Sequence, residues 1–416
     1  MNRKKRILIL YADAGFGHRS AALAVKAGLE EKYGDQCQIE MVNPLQDERT
    51  PFYLRDSQAD YDTMIRSVPE LYKLGYDVSD STVPTLVVET AMILMLYDAM
   101  NDLVKRTKPD VIVSTYPLYQ APLDAVFTMK QLNIPIVTVV TDLVNVHRAW
   151  FNIVIEKLMV PTPNVQQQAT KAGLSGEKVF ITGIPVSTTI AREKRSKKQI
   201  RADLGLDPDR FIILVAGSKR VDGLPEILDG LNHSGHPVEL VLVAGGDEEL
   251  YQCMRLVDWH LPVRIYNYVD FIPALLNASD AVICKSGGLI VSETMAAGLP
   301  MILINVLPGQ ESGNAEYVIS NGSGEMAESS SQLLEIIAHW LENDRLVWNQ
   351  RRVCSVNHGK PESAFTIADE IYQLSQIEIQ PRKAGHLFER SHLASLLRKK
   401  YRLDIKLRSK QMEKDA

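Results

Sequence analysis

The sequence predicts an α/β protein made of two doubly wound, Rossmann-like domains that face each other across a crevice. Three observations predict it. A chain of 416 residues is too long for one ordinary hydrophobic core. Short apolar runs of strand length alternate with segments whose apolar residues recur every three to four positions, as in a parallel sheet covered by helices. That alternation pauses once, at Thr182-Gly-Ile-Pro-Val and the charged stretch Arg192–Arg201, and then restarts.

In chain order, Ile7–Tyr11, Val111–Ser114, Ile136–Val140 and Leu158–Val160 read as buried strands, with another near Ile39–Val42. Ala21, Ala22, Val25 and Leu29 mark the helix that follows the first of them. Past the pause, Phe211–Val215, Leu240–Ala244, Val263–Tyr266, Ala281–Cys284 and Met301–Ile304 read as a second set. The expected units are residues 1–185, residues 186–380 and a tail at 381–416. Open parallel sheets bind ligands beyond the C-terminal ends of their strands, so the chemistry is expected in strand-exit loops.

Composition narrows the class. The chain is 45% hydrophobic and 23% charged, which excludes a disordered, collagen-like or disulfide-stapled protein. A net charge of −5 argues against a general nucleic-acid binder. That average hides an asymmetry: residues 381–416 hold 11 Lys and Arg against 4 Asp and Glu, a net +7 that leaves −12 on residues 1–380. The 4 cysteines, Cys37, Cys253, Cys284 and Cys354, form no C-x-x-C pair and read as reduced thiols. The longest apolar run, Leu86–Tyr97, is broken by Glu89 and is shorter than the ~20 residues a membrane span needs.

The first strand runs into Ala12-Asp-Ala-Gly-Phe-Gly-His-Arg19, and a helix begins near Ser20. Gly15 and Gly17 let the backbone approach a ligand, and free N–H groups at the helix start favour an anionic or polar group. A dinucleotide fingerprint would need a third glycine at Ser20 and an acid after the second strand; both are missing. His18 at this position is either a surface or capping residue or a general base, and Asp13 in the same loop is a candidate to orient it.

The stretch from Asp280 to Asn314 carries the second signal. A strand ends in Lys285-Ser-Gly-Gly288, a helix follows to about Ala297, and Gly298-Leu-Pro300 ends it. Gly287 and Gly288 at a helix N-terminus beside Ser286 and Lys285 suit a phosphate. Glu293, early in that helix, suits a cis-diol such as ribose; the plainer alternative is a Gly-rich turn with an exposed helical Glu. Pro308-Gly-Gln-Glu-Ser-Gly-Asn314 then offers amide and carboxylate groups suited to the hydroxyls of a sugar. In order, these features describe a nucleotide-sugar site.

With these motifs in place, the chain resembles a family of two-domain, inverting GT-B glycosyltransferases. It includes diacylglycerol glycosyltransferases, monogalactosyldiacylglycerol synthases and the peptidoglycan lipid-intermediate glycosyltransferase. The resemblance runs from Ile7 to about Ile371. It rests on Asp13-x-Gly-x-Gly-His18-Arg19-x-Ala-Ala, Thr141-Asp-Leu143 with His147 and Trp150-Phe151, Thr182-Gly-Ile-Pro, and Pro308-Gly-Gln-Glu-x-Gly-Asn314 followed by Asn321-Gly322. Lys285-Ser-Gly-Gly with Glu293 is shared with the peptidoglycan branch.

The resemblance implies His18 as the base that deprotonates the acceptor hydroxyl, with Asp13 and Gly17 nearby. It implies Ser286, Gly287 and Gly288 on the donor pyrophosphate, with Lys285 beside them and Glu293 on the ribose. It implies Gln310, Glu311 and Asn314 on the transferred sugar and neighbouring phosphate, Tyr268 and Val269 against the uracil, and Ser218 on a phosphate. Asp142 and His147 face the crevice from the acceptor side. The sequence departs from the family where Ser187 follows Pro185-Val186, where Tyr116-Pro117 replaces a frequent His-Pro, and where the phosphate turn is reduced to Ala216-Gly-Ser218.

The function so implied is transfer of a hexose, galactose or glucose, from UDP-galactose or UDP-glucose to 1,2-diacylglycerol with inversion. The helix N-terminus and Lys285 would neutralise the leaving group, so no metal and no other cofactor is expected. No G-x-S-x-G elbow supports serine hydrolysis. The alternatives are transfer to another lipid-linked acceptor of the peptidoglycan type, or a non-catalytic UDP-sugar sensor.

A lipid acceptor implies a cytoplasmic protein, peripheral on the inner face of the cell membrane. The tail places Leu387, Phe388, Leu393, Leu396, Leu397, Tyr401 and Leu403 among Arg and Lys at roughly helical spacing, which suits an anionic membrane surface. The segment 56–107, with Tyr61, Tyr72 and Tyr76 and the run Leu86–Tyr97, either packs internally or lines the lipid entry.

Overall fold

The computed structural model describes residues 3–13, 16–52, 55, 82–218, 221–306 and 310–379, with backbone only at 16, 82–88 and 310. The expected membrane tail, Tyr61, Tyr72, Tyr76, Gly15, Pro308 and Gly309 lie outside the described residues.

Two parallel six-stranded sheets form the frame. The first contains β1 (Lys5–Leu10), β2 (Cys37–Val42), β3 (Val111–Ser114), β4 (Ile136–Val139), β5 (Lys157–Val160) and β6 (Val179–Ile181), in the order β2-β1-β3-β4-β5-β6. The second contains β7 (Phe211–Ala216), β8 (Val238–Val243), β9 (Val263–Tyr266), β10 (Ala281–Cys284), β11 (Met301–Leu303) and β12 (Gly324–Met326), in the order β12-β11-β10-β7-β8-β9. Side chains alternate between faces: Ile7 and Ile9 enter one apolar cluster while Leu8 and Leu10 enter another. Both faces are therefore covered, which is why the central strands are continuous apolar runs.

Each sheet reverses its strand order once, between β1 and β3 in the first and between β7 and β10 in the second. These are the points where exit loops diverge and leave room for a ligand.

Five helices bear on the site: α1 (Phe16–Tyr33), α2 (Thr82–Thr107), α3 (Gly288–Ala296), α4 (Gln310–Ser320) and α5 (Ser363–Ser375). In the apolar run of α2, Met92, Ile93, Leu96 and Tyr97, with Met100 beyond it, are buried in the first domain's core, while Leu94 is exposed. Among the described residues, no helix is long and apolar enough to cross a membrane.

The last helix, α5, crosses back to the first sheet. Ile367, Ala368, Ile371 and Leu374 pack with Ile7, Ile9, Val25 and Val111. Gly28 on α1 permits this approach, because a Cβ there would stand 2.7 Å from the Ala364 carbonyl oxygen. Tyr33 stacks on Tyr372 at 3.9 Å, and Lys32 pairs with Asp369 at 2.6 Å. The two chain crossings between the halves touch each other: a Cβ on Gly183 would meet the Lys360 side chain, and the Val186 amide donates to Ser363 Oγ at 3.2 Å.

Candidate active site

Exit loops of three neighbouring strands, β1, β3 and β4, converge on His18. His18 lies in the first turn of α1. Its Nδ1 is 2.7 Å from the Thr115 carbonyl oxygen and 2.9 Å from Thr141 Oγ1. A carbonyl oxygen only accepts, so Nδ1 carries the hydrogen and Nε2 keeps its lone pair. Nε2 has no hydrogen-bond partner among the described residues. Burial pushes the imidazole pKa down to about 4, against a smaller upward pull from the Thr115 bond. The ring is held edge-on by Tyr116 at 5.2 Å, with Trp150 at 6.0 Å. Tyr116, where the sequence departs from the family's His-Pro, thus forms a wall beside the imidazole.

Asp13 does not orient His18. Its carboxylate accepts from Asn43 Nδ2 and Gln46 Nε2, each at 3.1 Å, and pairs with Arg19 at 3.6 Å. The position on the ring that it was expected to hold is taken by Thr115 and Thr141. Asp142 accepts the Trp150 indole N–H at 2.6 Å, and His147 Nδ1 accepts the Ala149 amide as the cap of a short helical turn. These bonds tie Asp142 and His147 to the segment Ala149–Trp150.

From the second sheet, β10 delivers Lys285, Ser286 and Gly287 to the N-terminus of α3, where no side chain caps the helix. The free amides there complement an anion. Lys285 forms an ion pair with Glu311. Ser286 Oγ donates to the Glu311 carbonyl, and Asn314 Nδ2 donates to the Ser286 carbonyl, each at 2.9 Å. Those bonds leave two buried acceptors, Glu311 Oε2 and Asn314 Oδ1, with no hydrogen-bond partner among the described residues. Such groups are costly unless a ligand donates to them. The Gln310 backbone starts α4 beside them; its side chain lies outside the described residues.

Glu293 projects from the second turn of α3. Burial alone pushes its carboxyl up to about 7, and no hydrogen bond holds it among the described residues. Ser218 follows β7 across the switch point from Lys285. Val269 is buried, whereas Tyr268 is 69% exposed on the same loop after β9.

The two sides touch. Leu143, from the first domain, is buried in the core of the second. A Cβ on Gly313 would run into the Asn145 side chain. Thr115, Thr141, Asn145 and Gly313 were not singled out as site residues from sequence. Thr115 acts through its backbone carbonyl, which leaves no trace in residue type; Thr141 was visible only as part of a motif.

Two six-stranded parallel sheets with ligand-ready exit loops at both switch points make this a GT-B glycosyltransferase fold. MurG of Acinetobacter baumannii shares it with a TM-score of 0.57 at 16% identity, covering 89% of this chain and 99% of that one. The UDP-GlcNAc 2-epimerase of Neisseria meningitidis bound to UDP-GlcNAc does so with a TM-score of 0.58 at 14% identity, covering 88% of this chain and 100% of that one. Residues 18–186 match the model of the monogalactosyldiacylglycerol (MGDG) synthase family, and residues 196–358 that of glycosyl transferases group 1. The chloroplastic monogalactosyldiacylglycerol synthase of Spinacia oleracea is 29% identical over 392 residues, 91% of this chain and 74% of that one. The two matches together span most of the chain, each half on a glycosyltransferase model.

Proposed function

We propose that this protein transfers a hexose, galactose or glucose, from a UDP-sugar to the free hydroxyl of 1,2-diacylglycerol with inversion, making a monoglycosyldiacylglycerol. One observation carries the reading. A neutral histidine with a free Nε2 stands on one side of the crevice, and a glycine-led helix N-terminus with unpartnered sugar-type acceptors stands on the other.

In the proposed step, Nε2 of His18 takes the proton of the acceptor hydroxyl as its oxygen attacks the anomeric carbon. The bond from that carbon to the diphosphate oxygen breaks, and the electron pair leaves on the UDP. One displacement inverts the anomeric centre. The amides at the start of α3, with Lys285, offset the charge that develops on the leaving diphosphate, so no resident metal is invoked. Glu311 Oε2 and Asn314 Oδ1 accept from sugar hydroxyls, and Glu293 accepts from the ribose diol. The low pKa of His18 keeps the base unprotonated at working pH, while the second protonation state forms only as the reaction proceeds.

The proposed place of work is a membrane surface, the inner face of the cell membrane, where the acceptor resides. The test is a donor screen with diacylglycerol in mixed micelles and mass spectrometry of the lipid product. A hexose-diacylglycerol with inverted anomeric configuration is expected. Folded protein that glycosylates a polyprenyl-linked acceptor instead, or that binds UDP-sugar without turnover, would replace this reading with the peptidoglycan-type or sensor alternative.

A further inference from the structure

Thr141 touches both the imidazole of His18 and the start of the helix assigned to the donor phosphate. Its hydroxyl lies 2.9 Å from His18 Nδ1. On the same residue, the carbonyl oxygen lies 3.0 Å from the point a Cβ on Gly288 would occupy. The residue is 8% exposed, so neither contact is diluted by solvent.

The hydrogen-bond logic at Nδ1 is constrained. Thr115 O, at 2.7 Å, must accept, so the Nδ1 hydrogen is shared between that carbonyl and the Thr141 hydroxyl oxygen. The second anchor stops the ring from turning about the Thr115 contact and holds Nε2 toward the crevice. Because the anchor is two bonds from a backbone that rests on Gly288, the base and the phosphate seat are placed by the same residue. Leu143, two positions on, is locked into the second domain's core and fixes this segment on the far side.

We propose that Thr141 is a positioning residue: its hydroxyl, as second partner of the Nδ1 hydrogen, stops the His18 ring from turning about the Thr115 contact, and its backbone sets the distance from that base to the N-terminus of α3. The inference rests on the transferase reading for its kinetic arm only; the anchoring of the ring is a property of the resting protein. A shift of about 1 Å between base and donor is enough to cost catalysis heavily.

The test compares Thr141→Val, which keeps the shape and removes the hydroxyl, with Thr141→Ser, which keeps the hydroxyl; Thr141→Ala serves if the valine variant fails to fold. Proton and nitrogen-15 NMR of the His18 imidazole in the resting protein reports the Nδ1–H resonance and its exchange with water. Wild type and Thr141→Ser should show a slowly exchanging Nδ1–H, and Thr141→Val the same tautomer, kept by the Thr115 carbonyl, with a shifted Nδ1–H that exchanges faster. In transfer assays, Thr141→Val should lower kcat by about tenfold with donor KM within about twofold, and Thr141→Ser should recover most of kcat. An Nδ1–H shift and exchange rate unchanged in Thr141→Val, or a serine variant as impaired as the valine one, overturns the proposal. Absence of transfer by the wild type, with the change in Nδ1–H exchange still present, would sink the functional reading and leave the positioning role standing.

Discussion

Gly288 and Thr141 meet backbone to backbone across the seam between the two halves, with 3.0 Å between the Thr141 carbonyl oxygen and the position of a Cβ on Gly288. That contact is tighter than an ordinary side-chain approach, and Ile184 Cδ1 stands 3.4 Å from the same point. Gly288→Ala must therefore widen the seam by a few tenths of an ångström. The expected result is a fall in kcat/KM of about tenfold, since small misplacements at reacting groups are amplified. Thermal melting should shift by no more than about 3 °C, and wild-type kinetics in this variant would show that the seam has slack.

His18 supplies a prediction in pH. Its pKa in the folded protein is about 4, against an ordinary 6.5. Folding therefore disfavours its protonated form, and stability is lost as pH falls from about 6.5 toward 4. His18→Gln should flatten part of that loss in urea titrations across the same window. In transfer assays the base stays unprotonated well below pH 6.5, so kcat should not fall until pH is far more acidic. Replacing it with Ala should lower kcat by about 10²- to 10⁴-fold while calorimetric donor affinity persists.

Glu293 is shifted the other way. Burial raises its carboxyl from 4.5 to about 7, so the folded state binds the proton more tightly than the unfolded one. Its ionisation weighs against folding as pH rises through that interval, and the ionised form is the stronger acceptor for a diol. Donor affinity, measured by calorimetry, should rise as pH increases through about 7. Glu293→Gln should remove the slope, and a slope that survives the substitution would assign it to another group.

Gly28 tests the return of α5. A Cβ there would lie 2.7 Å from the Ala364 carbonyl oxygen, 3.0 Å from its carbon and 3.4 Å from the Phe365 nitrogen, all backbone. No rotamer change relieves that clash. Gly28→Ala should cost about 1–3 kcal/mol in urea unfolding while specific activity of the folded fraction is kept.

Much of this architecture was legible because central parallel strands are buried on both faces. Ile7–Tyr11, Phe211–Val215 and Ala281–Cys284 announce themselves as apolar runs for that reason. The edge strands Val179–Ile181 and Gly324–Met326 do not, since each has three residues, only one of them buried. His18 was legible from the glycines ahead of it at a strand exit. Its partners were not: Thr115 works through a carbonyl that every residue possesses, and Asp13, near in sequence, points to Asn43 and Gln46 instead. The apolar face of α5 shows in its spacing, but spacing does not say which sheet will cover it.

The return of α5 makes the second half, between the crossings near Val186 and Ser363, an insertion within the first. A ribosome delivers the first sheet early, yet the helix that covers Val25 and Ile9 is not made until the chain reaches Ser375. The first half must wait, with that apolar face open, while the whole second half is synthesised and folds. A fragment ending at residue 186 would carry the base but remain an unfinished domain, so separating the halves by truncation should yield an aggregation-prone N-terminal piece rather than a working acceptor module.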